Sequence, residues 1–65
     1  MKITVNGKAE EVSAKTIAEL ATLKNVPAKG VAITMNGTVI PRKQWEATTI
    51  MPDADIIIIK AFAGG

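Results

Sequence analysis

Two glycines, Gly64 and Gly65, close the 65-residue sequence, and the chemistry they suit is that of a carboxylate on a slender chain end. Glycine lacks a Cβ, so such an end takes any backbone angle and passes down a channel too narrow for side chains. At average usage of about 7%, glycine falls at both final positions by chance roughly once in 200 sequences. Ala61-Phe62-Ala63 precede the pair. Four or five extended residues reach about 13–17 Å beyond a folded body. The expected organisation is a domain over residues 1–60 and a flexible tail over 61–65. A frayed terminus, or a linker left by cloning, would carry the same two glycines.

The other reactive groups are few. The chain has no cysteine and no histidine. Disulfides, zinc sites built on nitrogen and sulfur, and catalysis by imidazole or side-chain thiolate are therefore excluded. Ser13, Thr16, Thr48 and Thr49 carry hydroxyls with no base to activate them. Asp53 and Asp55 have a calcium-like spacing, but two carboxylates make a poor site, and a turn role suits them better. A self-contained enzyme is not expected, and no catalytic residue or metal ligand is assigned.

Composition narrows the class further. Hydrophobic residues make up 48%, enough for a folded globule. A chain of this size makes one domain that buries about 60% of its unfolded surface. Eight basic and six acidic residues leave a net charge of +2, a weak pull on a phosphate backbone. Arg42-Lys43 followed by Trp45 is the sole basic-aromatic cluster, so nucleic-acid binding is not expected. No apolar run approaches the roughly 20 residues that span a bilayer. Met1-Lys2-Ile3-Thr4 lacks the apolar core of a signal peptide. The expectation is a cytoplasmic protein, monomeric when free.

Something must hold that chain end in place. Met1, Ile3 and Val5 alternate with Lys2 and Thr4, the pattern of a strand with one buried face. Asn6-Gly7 is a strong hairpin signal, since a type I′ turn needs positive φ at both positions. A two-residue loop pairs Val5 with Lys8, Ile3 with Glu10 and Met1 with Val12. Lys8 and Glu10 then share the core face, at the open end of the hairpin. Thr16-Ile17-Ala18-Glu19 reads as a capping box opening a helix of about nine residues, with Ile17, Leu20 and Ala21 on one face and Leu23 at its margin. Asn25-Val26-Pro27 ends it. Val31, Ile33 and Met35 alternate next, Asn36-Gly37 repeats the hairpin signal, and Thr38 to Ile40 return. Pro41 stops that ladder, Arg42 to Glu46 form a single turn carrying Trp45, and Ile56 to Lys60 make the last strand. The order strand, strand, helix, strand, strand, strand is that of an α+β, β-grasp (ubiquitin-like) fold. It has a mixed sheet of about five strands, one helix on one face, and the first and last strands parallel at its centre.

The ordered set Val31-Ala32, Asn36-Gly37, Val39, Pro41-Arg42, Trp45, Asp53-x-Asp55 and Gly64-Gly65 resembles the ThiS family, the sulfur carriers of thiamine biosynthesis. The likeness covers the whole chain. Ala54 departs from it, because the family usually has glycine between the two aspartates. The resemblance implies that this chain is a carrier and the substrate of an adenylating enzyme. A ThiF-like partner, using ATP and Mg²⁺, would convert the Gly65 carboxylate to an acyl-adenylate. A sulfur-donor protein's persulfide would displace AMP, leaving a thiocarboxylate for a ThiG-like thiazole synthase. Gly65 would be the covalently modified residue, with Gly64 and Ala63 as its slender approach.

One further feature bears on partners. A sheet with one helix has a bare face, so its strands should alternate, yet Ile56-Ile57-Ile58-Ile59 does not. With Lys60 taken as the marker of the solvent side, period two places Ile56, Ile58 and Phe62 on the bare face with it, and these residues, Lys60 included, make the expected docking surface. Ile57 and Ile59 then face the helix. The competing reading has the Trp45 segment fold over these residues. Trp45 itself is read as an anchor against Pro41, and Arg42 as either an exposed structural group or a partner for another protein's carboxylate. Besides the thiazole carrier, three functions share the pattern: a sulfur carrier for molybdopterin synthesis, a protein modifier joined through Gly65 to a lysine, and a plain β-grasp interaction domain.

Overall fold

The computed structural model describes residues 1–26 and 29–60. Five strands form one sheet: β1 (Lys2–Val5), β2 (Lys8–Glu11), β3 (Val31–Met35), β4 (Thr38–Ile40) and β5 (Asp55–Lys60), in the order β2-β1-β5-β3-β4. The single helix is α1 (Ile17–Leu23), and a 3-10 turn spans Arg42–Gln44. β1 and β5 run parallel at the centre, with Val5 opposite Ile56. This is the β-grasp topology that the order of the sequence signals requires.

Both Asn-Gly turns form as their residues demand. Asn6 and Gly7 have φ of 50° and 84°, and Asn36 and Gly37 have 53° and 86°. The β1–β2 register pairs Val5 with Lys8 and Ile3 with Glu10, and backbone hydrogen bonds extend it to Met1 and Val12. Lys8 and Glu10 lie towards the turn, however, and not at the open end of the hairpin. Glu10 is accommodated there by an ion pair with Lys24, at the end of the helix.

The helix is seven residues long, shorter than expected, because both of its ends are capped tightly. Thr16 accepts from the Glu19 amide at 3.2 Å, and the Glu19 carboxylate accepts from the Lys15 amide at 2.6 Å, one residue before the N-cap. At the other end Asn25 takes φ 56°, the Val26 amide donates to the Ala21 carbonyl, and the Asn25 amide donates to Thr22. These paired bonds make a Schellman motif, which stops the helix before any proline is needed. Pro27 lies outside the described residues. Ile17, Leu20 and Ala21 are buried against the sheet, and Leu23 is exposed.

The core joins that helical face to Ile3, Val5, Ile33, Ile40 and Ile56 of the sheet. Trp45 belongs to it: the indole is buried and donates to the Ile40 carbonyl at 2.9 Å, and its backbone carbonyl accepts from Ala18. The Arg42 guanidinium lies 4.9 Å from the indole centroid, a cation–π distance. Trp45 thus anchors the connection on the helix side of the sheet.

The departure at Ala54 has a local explanation. The left-handed conformation in this turn falls on Asp53, at φ 61°, and Ala54 is buried with its methyl in the core cluster. A glycine at position 54 is therefore not required by the backbone. Ala54→Gly should lower stability by about 1 kcal/mol, through the lost methyl and added chain entropy. Asp53→Gly should match or exceed the wild type, because glycine adopts positive φ without strain. Urea denaturation midpoints of the two variants check this opposition.

The turn asparagines also act across the sheet. Asn6 Oδ1 accepts from the Ile58 amide at 2.8 Å, one step past the end of the β1–β5 ladder. Asn36 Oδ1 accepts from the Asp55 amide at 2.9 Å, at the opposite end of β5. Each asparagine therefore supplies a positive-φ turn and a bond that fixes one end of the central strand. Asn6→Gly should cost about 1 kcal/mol although it keeps the turn, and Asn6→Asp, which keeps the acceptor, should cost less. Chemical denaturation separates the two contributions.

Candidate functional site

β5 is the strand that leads to residues 61–65, so its placement decides where the chain end is presented. Neighbours pair with it on both sides: β1 from Thr4 and Val5, and β3 from Val31 through Met35. Ile56 and Ile33, on the helix side, are fully buried. Phe62, Ala63, Gly64 and Gly65 lie outside the described residues.

The faces of β5 are the reverse of those read from the sequence. Ile56 is 0% exposed and Ile58 packs against the core, whereas Ile57 and Ile59 are 41% and 52% exposed on the bare face. Ile56 therefore cannot serve as a surface residue. The cause is Lys60, which does not mark the bare face. By register it lies opposite Val31, on the helix side. A seven-residue helix is roughly 10 Å long, while a six-residue strand runs roughly 20 Å. The helix side is consequently open at the end of β5, and a lysine sits there in solvent. Asp55 was the better marker, being exposed at the start of the strand and in phase with Ile57 and Ile59.

Cross-strand register extends the bare apolar face. Thr34 stands between Ile57 and Val39, and Ala32 lies opposite Ile59. Val39 is 61% exposed; in the sequence it belongs to the family pattern and not to the expected docking surface. Its signal is the Asn36-Gly37 turn, which sets Val39 opposite Thr34, on the face away from Ile33. The Trp45 segment does not cover this face. Asp53 and Asp55 serve the turn: Asp53 supplies the positive φ, and the Asp55 amide is held by Asn36. No group of three or more metal-ligating side chains occurs among the described residues, and no described helix is long and apolar enough to cross a membrane.

The geometry is that of a small rigid body built around a central strand that leads directly into a glycine-terminated segment. Known proteins share this fold. The ThiS family model matches residues 3–65, which include Gly64-Gly65. The crystal structure of the thiamine biosynthesis protein ThiS from Geobacter metallireducens superposes with a TM-score of 0.84 at 32% identity, covering 100% of both chains. A solution NMR structure of a thiamine biosynthesis protein from the same organism gives a TM-score of 0.80 at 29% identity, covering 100% of this chain and 88% of that one. No curated protein sequence matches. The family model spans residues 3–65 and the fold agrees over the full length, and the chain belongs to the ThiS family of small sulfur carrier proteins.

Proposed function

We propose that this chain carries sulfur as a thiocarboxylate on Gly65 and delivers it for thiazole formation in thiamine biosynthesis. The family match that extends through Gly64-Gly65 is the observation that supports this most strongly. A carboxylate is a poor electrophile, so it needs a leaving group before sulfur can enter. A ThiF-like adenylating enzyme supplies it: the Gly65 carboxylate attacks the α-phosphorus of Mg²⁺-bound ATP, and pyrophosphate departs. A persulfide on a donor protein then attacks the acyl carbon and expels AMP. A thiol then attacks the donor-side sulfur of the resulting acyl disulfide, forming a disulfide with the donor's cysteine and releasing the thiocarboxylate on Gly65 for a ThiG-like thiazole synthase.

This chain contributes position and slenderness to those steps, and the reactive groups other than Gly65 belong to its partners. Gly64 and Ala63 give the approach to Gly65 a small cross-section. The bare face carrying Ile57, Ile59 and Val39 is the docking surface beside it, in place of the face of Ile56 and Ile58. Exposed apolar groups in one contiguous area mark interaction surfaces.

Intact-mass analysis of protein from sulfur-replete cells should show a species heavier by the difference between one sulfur and one oxygen. Deletion of Gly65 should abolish it. A covalent adduct with another protein would instead identify a modifier, and an unmodified mass with no ATP-dependent adenylation would contradict the carrier reading. Ile57→Ser with Ile59→Ser should leave the free energy of unfolding in urea within about 1 kcal/mol of wild type, since both side chains are exposed, and should weaken binding to the adenylating enzyme about tenfold or more. Calorimetry measures that loss.

A further inference from the structure

The open end of the helix side holds a second feature that the carrier reading leaves unused. A groove of about 330 Å³ lies between the end of α1, the β1–β2 turn and the end of β5. Val5, Val26 and Ile58 form its apolar floor. Lys8, Lys24 and Lys60 stand around it with one acid, Glu10. Glu10 is already engaged by Lys24. Lys8 and Lys60 are exposed and have no ion-pair or hydrogen-bond partner among the described residues. The groove therefore presents two uncompensated ammonium groups over a half-buried aliphatic floor, at the base of the segment that must enter another protein.

We infer that this groove receives a segment of the adenylating enzyme in which an aspartate or glutamate stands beside an apolar side chain. The inference rests on the proposed function and adds a second contact surface to it, on the face opposite Ile57 and Ile59. Charge complementarity carries the assignment. The carboxylate answers Lys8 and Lys60, and the apolar neighbour covers Val26 and Ile58. A free phosphate or a nucleic-acid backbone would use the ammonium groups and leave that floor in water. Contact on both faces of β5 would grip the strand immediately before residues 61–65 and fix the direction in which Gly65 is offered. Charges at the rim of such a contact act chiefly on encounter and register.

The test is ATP-dependent adenylation of the full chain by the adenylating enzyme of its own organism, measured over a range of carrier concentrations. Lys8→Glu with Lys60→Glu should raise KM for the carrier about tenfold at unchanged kcat, the gap narrowing as salt is added. The milder Lys8→Gln with Lys60→Gln should fall between, and serves if the double reversal loses its wild-type urea midpoint. Lys15→Glu, at the other end of α1, matches the net charge of the glutamine pair and should leave KM unchanged. An unchanged KM in both double variants, with the wild type adenylated normally, overturns the groove assignment and leaves the carrier function standing. A lowered KM overturns it too, by showing that the groove holds the chain's own end. If the wild type is not adenylated at all, the carrier reading fails and the groove assignment fails with it.

Discussion

The position of β5 is the constraint on which the rest of the structure depends. This strand must be the most enclosed element of a very small core and also the one that leads to the chain end. Parallel pairing with β1 meets the first demand, because it places β5 between two neighbours and directly under the helix. The second demand leaves each end of β5 short of ladder partners. Asn6 and Asn36 fill those places with side-chain oxygens. The same two residues set the hairpin turns, so the element that closes each hairpin also ties it to the central strand. Local and long-range requirements are met by one residue in each case, an economy suited to 65 residues without disulfide support.

A short helix has consequences for both faces. The N-terminal box and the Schellman motif confine α1 to seven residues, enough to cover Ile33 and Ile56 and too few to cover the end of β5. The opposite face has no helix and exposes Ile57, Ile59 and Val39. Two chemically different surfaces therefore flank the departing chain. One is broad and apolar, and the other is narrow, basic and floored by aliphatic side chains. Both surfaces lie along β5, the strand from which the sequence runs on to Gly64-Gly65.

Signals confined to a few neighbouring residues were legible in the sequence. Asn-Gly turns, a capping threonine and period-two alternation each state a local geometry, and strands β1 to β4 and the start of α1 lie where those signals put them. The family resemblance was legible too, through the spacing of small motifs over the whole chain. The phase of β5 was not. Four consecutive isoleucines carry no alternation, so the choice rested on one flanking charge, and Lys60 lies beyond the reach of the helix. Contacts across the fold were equally hidden: the Ile58–Asn6 bond joins residues 52 apart, and the Lys24–Glu10 pair depends on where the helix stops. The left-handed angle at Asp53 was hidden as well, because Asp53-Ala54 lacks the following glycine that marks both hairpin turns.

Residue-resolved native-state hydrogen exchange tests the central claim most directly. If β5 is fixed from both sides and at both ends, the Ile58 amide, whose acceptor is the Asn6 side chain, exchanges only through global unfolding, as slowly as the amides of the β3–β5 ladder. Exchange of Ile58 at the rate of the edge strands β2 and β4 would contradict the account, because the strand would then fray at the very point from which it must hold the chain end.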